Sequence, residues 1–323
     1  MKFNLEKIGN NHLYPEILSY LDKIPDNFLF HNNYSLRHPY SNLQFSLTKI
    51  FDNLEILLRE LKEFNINAAS LGHKIPDSII FTTKDLLIDL NSFYDDCFLI
   101  IMTLTPPTNE KFRTITEWIS KTKTRSALEF RSETTVQADY WKEQINALKH
   151  SNTKLKYITG YIGEIVIPGY YIEGADKIGA IGPIEKIHPK FRGKTTAYSY
   201  NFHIKKNILY IYYIMNKLQK HLLRHFKEIY KHKLTKSKEY NMKTDKIKTV
   251  ISQASNLPNI FFPDESAKKT TDIYIDDSKF TLNYPGTSKY FGYKSMQFSM
   301  LLLVEKYNNG FYLPYALDPE TKN

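Results

Sequence analysis

The chain has 323 residues, with 44 Lys and Arg against 34 Asp and Glu, and Cys97 is its only cysteine. That length suits two domains or one large one with a sizeable core, and one cysteine excludes an internal disulfide. The apolar runs fall well short of the ~20 residues that cross a bilayer, and the start MKFNLEKIGNN lacks a signal peptide's apolar core, so the expectation is a cytoplasmic protein without membrane insertion.

The first half reads as helical. Phe45, Leu47, Ile50, Phe51, Leu54, Leu57, Leu58 and Leu61 recur at helical spacing and predict a helix over 45–64. Pro76 precedes another start. From Asp85, taken as a cap, Leu87, Leu90, Tyr94, Cys97, Ile101 and Leu104 alternate steps of three and four until Pro106-Pro107 stops the helix. A short helix over 114–121 surrounds Trp118, and a long one is expected over 133–154.

The texture then changes. Seven of the twelve glycines lie between Gly160 and Gly193, around segments rich in Ile, Val and Tyr at 157–167, 169–173 and 180–187, which is strand-and-turn chemistry. Residues 195–203 suit a further strand. A basic helix is expected over 202–236, followed by a polar segment to residue 248. Residues 272–275 and 279–284 flank Asp276-Asp277-Ser278 as a hairpin, and 295–307 suits either a strand or a buried helix. The fold class is therefore α+β, with a helical domain over 1–155 and an α+β domain over 156–323 that contains the basic helix.

The charge is concentrated. Between Lys205 and Lys248 stand 13 Lys and Arg against 3 Asp and Glu, which accounts for the chain's entire net charge of +10. On the basic helix Ile204, Ile208, Ile211, Met215, Leu218, Leu222 and Ile229 form an apolar seam, expected to pack on the rest of the protein or on a second subunit. Lys217, Lys220, Arg224, Lys227 and Lys231 form a second stripe at steps of three and four. Five cations on one face can track a phosphate backbone and release its counterions, and Tyr213 on the same side can stack on a base. A Lys-rich solvated face is the plain alternative. His221, His225, Glu228 and His232 follow one another along the border of these stripes. Two imidazoles one turn apart can share a metal, which makes these four a metal candidate, and no cofactor is otherwise indicated.

The helix over 133–154 carries Asp139, Glu143, Asn146 and His150 at the same spacing, with Lys149 beside the last. His150 is the candidate general base, with Asn146 and Lys149 to position and stabilise a phosphate. As a plain helix C-terminus, the same Lys and His complement the negative end of the dipole. Asp85, Asp89 and Asp96 share a face of the preceding helix, with Asp95 adjacent.

Together, the paired long helices at 85–154, one with an Asp-bearing face and the other with Asn146, Lys149 and His150, resemble the HEPN-type helical domains of bacterial toxin and phage-defence systems. The resemblance implies a dimeric, metal-independent ribonuclease. The family's motif sets an Arg a few residues before its His, and no Arg stands there before His150. Two readings result. One is a nucleic-acid-binding protein, RNA rather than DNA because no DNA-reading motif is visible. The other is a non-enzymatic protein that dimerises or docks a partner through its apolar seam.

Overall fold

The structure is a computed structural model and describes residues 15–67, 76–149, 153–177, 179–236, 245–275, 280–286, 296–299 and 310–316, with a short backbone strand at the start. In chain order the elements are β1 (Phe3–Asn4), α1 (Ile17–Leu21), a 3₁₀ turn (Asp26–Phe28), α2 (Pro39–Asn67), α3 (Asp77–Thr103), α4 (Ile115–Thr122), α5 (Arg125–Leu148), β2 (Lys154–Ile162), β3 (Ile165–Ala175), β4 (Ile181–Pro183), β5 (Tyr198–Ser199), α6 (Tyr200–Ile229), α7 (Asp245–Ser255), β6 (Asp272–Ile275), β7 (Phe280–Tyr284) and β8 (Gln297–Ser299). The fold is α+β as expected, with helices in the N-terminal half and strands in the C-terminal half.

Helix boundaries differ from the sequence reading in instructive ways. α3 begins at Asp77, directly after Pro76, so Asp85 is interior and not a cap. Proline fits the first turn because its missing N–H has no helical partner there. α4 is capped by Thr114, whose side chain accepts from Glu117 N–H at 3.1 Å, while Glu117 accepts from Arg113 N–H at 2.8 Å. It ends where Lys123 turns left-handed at φ 48°, and α5 starts at once at Arg125, two turns before the expected residue 133. α5 therefore gains Arg125 and Glu129, which matter below.

The segment read as one strand over 157–167 is a hairpin. Gly163, at φ +57°, closes a tight turn between β2 and β3. Antiparallel pairing runs from Lys154 opposite Glu173 to Ile162 opposite Ile165. β3 also carries β4 and β5, and β2 carries β8, in a five-stranded sheet. β1, β7 and β6 form a second, three-stranded sheet in which the expected C-terminal hairpin is realised as β6 and β7. Its turn at 276–278 lies outside the described residues, as does most of 295–307, where β8 is a strand.

α6 is the central helix. Ser199 caps it, its side chain accepting from Phe202 N–H at 3.3 Å, so the helix starts at Tyr200 within the segment read as a strand over 195–203. Ile204, Ile208, Ile211, Met215, Leu218 and Leu222 are all buried, in one hydrophobic cluster that extends from Ile17 to Leu282. That cluster joins residues from both sides of position 155. A buried aliphatic side chain is worth about 1.5–3 kcal/mol, so the seam is committed to the chain's own core; only Ile229, at 51% exposure, stays out. No described helix is long and apolar enough to cross a membrane.

Candidate anion-binding site

The two halves of α6 hold their cations differently. In the second half, Lys217 and Lys220 both reach Glu133 of α5, at 2.5 and 3.0 Å. Arg224 pairs with Glu129, which also takes Arg125 Nε at 2.8 Å. Burial alone would raise the Glu133 carboxyl, but hydrogen bonds from Lys217 and Lys220 outweigh it and hold the group down at about 2. Three of the five stripe cations are thus engaged by two carboxylates across the α5–α6 packing. Lys227 and Lys231 remain exposed. Lys231 is not on the helix: α6 ends at Ile229, Lys231 turns left-handed at φ 51°, and His232 N–H returns to the Phe226 carbonyl at 3.2 Å. Tyr213 is buried, donating to the Glu133 carbonyl at 2.9 Å under the Lys217 ammonium, and offers no face to a base.

The His/Glu row does not converge on a metal. Arg224 approaches His221 Nδ1 at 3.1 Å, and His225 is held between Ser126 Oγ at 3.1 Å and the Leu104 carbonyl at 3.0 Å. Glu228 faces Arg125 and Arg224, and the His232 ring lies 5.3 Å from Phe28. Burial lowers the pKa of both His221 and His225. Among the described residues no group of three His, Cys, Asp or Glu is arranged to hold a metal ion.

Of the α5 candidates, Asn146 and Lys149 are exposed at the end of the helix, and His150 lies outside the described residues. The Asp face of α3 turns mainly to α2: Asp89 accepts from Asn53 at 2.8 Å, and Asp96 accepts from Asn42 at 3.3 Å and from Ser46. Burial, then the adjacent Asp96, raises the Asp95 carboxyl against the pull of Lys142 on α5 and Lys149 at its C-cap.

The first half of α6 is different. Phe202, Lys205, Lys206 and Tyr210 share one face and, with Phe261, Lys268, Lys269, Thr270, Thr271 and Tyr284, line a pocket of ≈ 280 Å³. Four lysines and four aromatic rings thus meet in one concavity. Lys205 is buried, its ammonium donating to the Leu257 carbonyl at 2.7 Å and to Asn259 Oδ1 at 2.6 Å. Lys206 sits 3.7 Å from the Tyr140 ring centroid, with Phe202 and Tyr210 also beneath it. No described carboxylate pairs with Lys206 within ion-pair distance. Burial lowers both ammonium groups to about 8, for Lys206 with help from Lys268. Lys268 pairs with Asp264 at 2.6 Å, and Lys269 is exposed. The Thr270 hydroxyl is buried without a partner among the described residues.

A buried glutamate sets this geometry. Glu265 accepts from Ser199 N–H at 2.9 Å, Ser199 Oγ at 2.5 Å and Phe262 N–H at 3.1 Å, which ties the 261–271 loop to the α6 N-cap. Burial, with Asp264 adjacent, pushes its carboxyl up to about 8. Behind Lys206 runs a hydrogen-bonded chain. Tyr140 lies 2.8 Å from His203 Nδ1, His203 Nε2 lies 2.9 Å from the Tyr170 hydroxyl, and Tyr170 donates to Gln144 Oε1 at 2.8 Å. This pattern satisfies a neutral imidazole, and burial, then Lys206, lowers His203 to about 3.

Lys205 also borders a second pocket of ≈ 610 Å³ lined by Ser255, Asn256, Asn259, Asp272, Tyr274, Thr281 and Asn283 among others. The sequence reading missed the lysine pocket. Half of its signal was available as Phe202-x-x-Lys205-Lys206-x-x-x-Tyr210 on one helical face, but the run Lys268-Lys269-Thr270-Thr271 lies some 60 residues away. Comparison with protein-family models, with curated proteins and with solved structures returns no match.

Proposed function

We propose that this chain binds nucleic acid, single-stranded RNA in preference to a duplex site, and that its phosphate contacts centre on the lysine pocket at the head of α6. The observation that supports this is the convergence of Lys205, Lys206, Lys268 and Lys269 with Phe202, Tyr210, Phe261 and Tyr284. Cations for the backbone beside rings for the bases are the two ingredients of single-strand binding, and the half-buried Tyr210 and Tyr284 are the rings placed for the second, with Phe202 and Phe261 buried behind them. The neighbouring pocket adds amide and hydroxyl groups suited to base edges and a ribose 2′-OH. The Lys217–Arg224 stripe contributes less, because Glu129 and Glu133 already compensate it.

The test is binding of a single-stranded oligoribonucleotide over a salt series. Affinity should fall log-linearly with salt. The double variant Lys206→Met/Lys269→Glu should lower affinity about 100-fold and reduce the salt slope by about two. Salt-insensitive binding, or a variant that binds like wild type, overturns the reading.

A further inference from the structure

We propose that the lysine pocket takes a nucleotide unit bearing a terminal phosphomonoester, so that the protein recognises a phosphorylated end and not the interior of a strand. For the strand this rests on the RNA reading above; the pocket argument stands without it.

Size is the first argument. At ≈ 280 Å³ the pocket lies at the small end of ligand sites, which run from about 300 Å³ upward. It holds one unit, and an interior phosphodiester would have to thread chain in and out on both sides.

Charge is the second. A phosphodiester carries one negative charge, whereas a phosphomonoester carries about −1.5 to −2 near neutral pH and three free acceptor oxygens. Among the described residues, the carboxylate within ion-pair distance of the four lysines is Asp264, on Lys268, while Asp272 acts on Lys205 from farther away. An ammonium has three donors, and Lys205 uses two on Leu257 and Asn259. Lys206 has aromatic faces beneath it and no described hydrogen-bond acceptor. Buried cations without counter-charge are costly, and a dianion compensates them where a monoanion leaves a deficit.

The third argument is a hydroxyl. Thr270 lines the pocket with a relative exposure of 2%, and its Oγ1 has no partner among the described residues. An orphaned buried donor costs free energy that a bound acceptor recovers. A phosphate oxygen on Lys206 and Thr270 would leave Tyr210 and Tyr284, the two rings of the lining that are only half-buried, on the side of the base.

The experiment is calorimetric titration of the full chain with four probes: one oligoribonucleotide sequence with a 5′-phosphate, with a 3′-phosphate and with both ends hydroxyl, and a nucleoside monophosphate. One phosphorylated oligonucleotide should bind at least about tenfold tighter than the hydroxyl form, with the mononucleotide competing for its site. Thr270→Val and, separately, Lys206→Met should each shrink that preference severalfold, with melting temperature recorded for both. Thr270→Val removes only an unpartnered hydroxyl, so it reads the site even where Lys206→Met destabilises the fold. Equal affinity for phosphorylated and hydroxyl ends overturns this inference and leaves the RNA reading standing. Mononucleotide binding without oligonucleotide binding supports the pocket and overturns the strand reading. Failure of all four probes overturns both.

Discussion

The two halves of α6 carry the same residue type and meet opposite fates. Toward the C-terminal end, Lys217, Lys220 and Arg224 face Glu133 and Glu129 across a helix pair, and each cation is engaged by a carboxylate of the same molecule. At the N-terminal end, Lys205 and Lys206 are packed among rings and backbone carbonyls, with less carboxylate to answer them. A lysine stripe therefore says nothing about a partner until the opposing element is known. Cations left uncompensated in a concave site are the stronger sign of an anionic ligand, because the protein bears a desolvation cost that a ligand can recover.

The contrast can be broken by experiment, and the pocket double variant, with its expected 100-fold loss of RNA affinity, is the largest effect. The next is pH. Lys205 and Lys206 have folded pKa values lowered to about 8 by burial; Asp272 opposes the shift at Lys205, and Glu265 and Asp264 oppose it at Lys206, where Lys268 adds to it. Both lysines lose their charge as pH rises through about 8, so affinity should drop there by up to about tenfold per unit for each lysine that contacts the phosphate. A phosphomonoester, with a second pKa near ~6, should add a weaker loss on the acid side. A fluorescence titration from pH 5 to 10 reads both limbs, and a flat profile through pH 8 would remove Lys205 and Lys206 from the contact.

Stability separates the two ends as well. Burial lowers His203 and His188, near the head of α6, to about 3. A His with a lowered folded pKa adds stability that is present above its unfolded value of 6.5 and lost as pH falls toward 3. Each then contributes a slope of up to about 1.4 kcal/mol per pH unit. Glu265 acts with the opposite sign: its carboxyl is raised to about 8, so stability is lost as pH climbs from its unfolded value of 4.5 toward 8. Urea denaturation should show a steep acid loss, with Glu265→Gln flattening the slope between pH 6.5 and 8. An acid limb that is flat from pH 6.5 to 4 would contradict the neutral burial of both imidazoles.

The smallest effect concerns the compensated end. Glu129→Gln with Glu133→Gln should lower stability only slightly, because the ion pairs they remove are largely exposed to solvent. It should raise salt-sensitive binding to a nonspecific polyanion such as heparin severalfold, because Lys217, Lys220 and Arg224 are released. No gain in heparin affinity would show that the carboxylates do not mask the stripe.

Much of the fold is legible from local pattern. The Leu and Ile spacing of α2 and α3, the Pro106-Pro107 stop and the Gly-rich strand region all carry their own physics. The stripe's fate was hidden by one turn: without Lys123 as a left-handed stop, α5 is read from residue 133 and Glu129 stays outside the helix that pairs with Arg224. The apolar seam was legible, and its place inside the chain's own core follows from the burial of Ile204 through Leu222. The lysine pocket was not legible, because α6 and the 268–271 run are brought together by long-range contacts such as those of Glu265, and a hydrogen bond between Ser199 and a glutamate 66 positions later leaves no periodic trace.

The central claim is that phosphate meets the head of α6 and not its stripe. Lysine acetylation footprinting of the full chain, free and with a 5′-phosphorylated oligoribonucleotide, tests it most directly. The account predicts protection of Lys268 and Lys269 with unchanged labelling of Lys227 and Lys231. Protection centred on Lys227 and Lys231, with Lys269 still labelled, would contradict it.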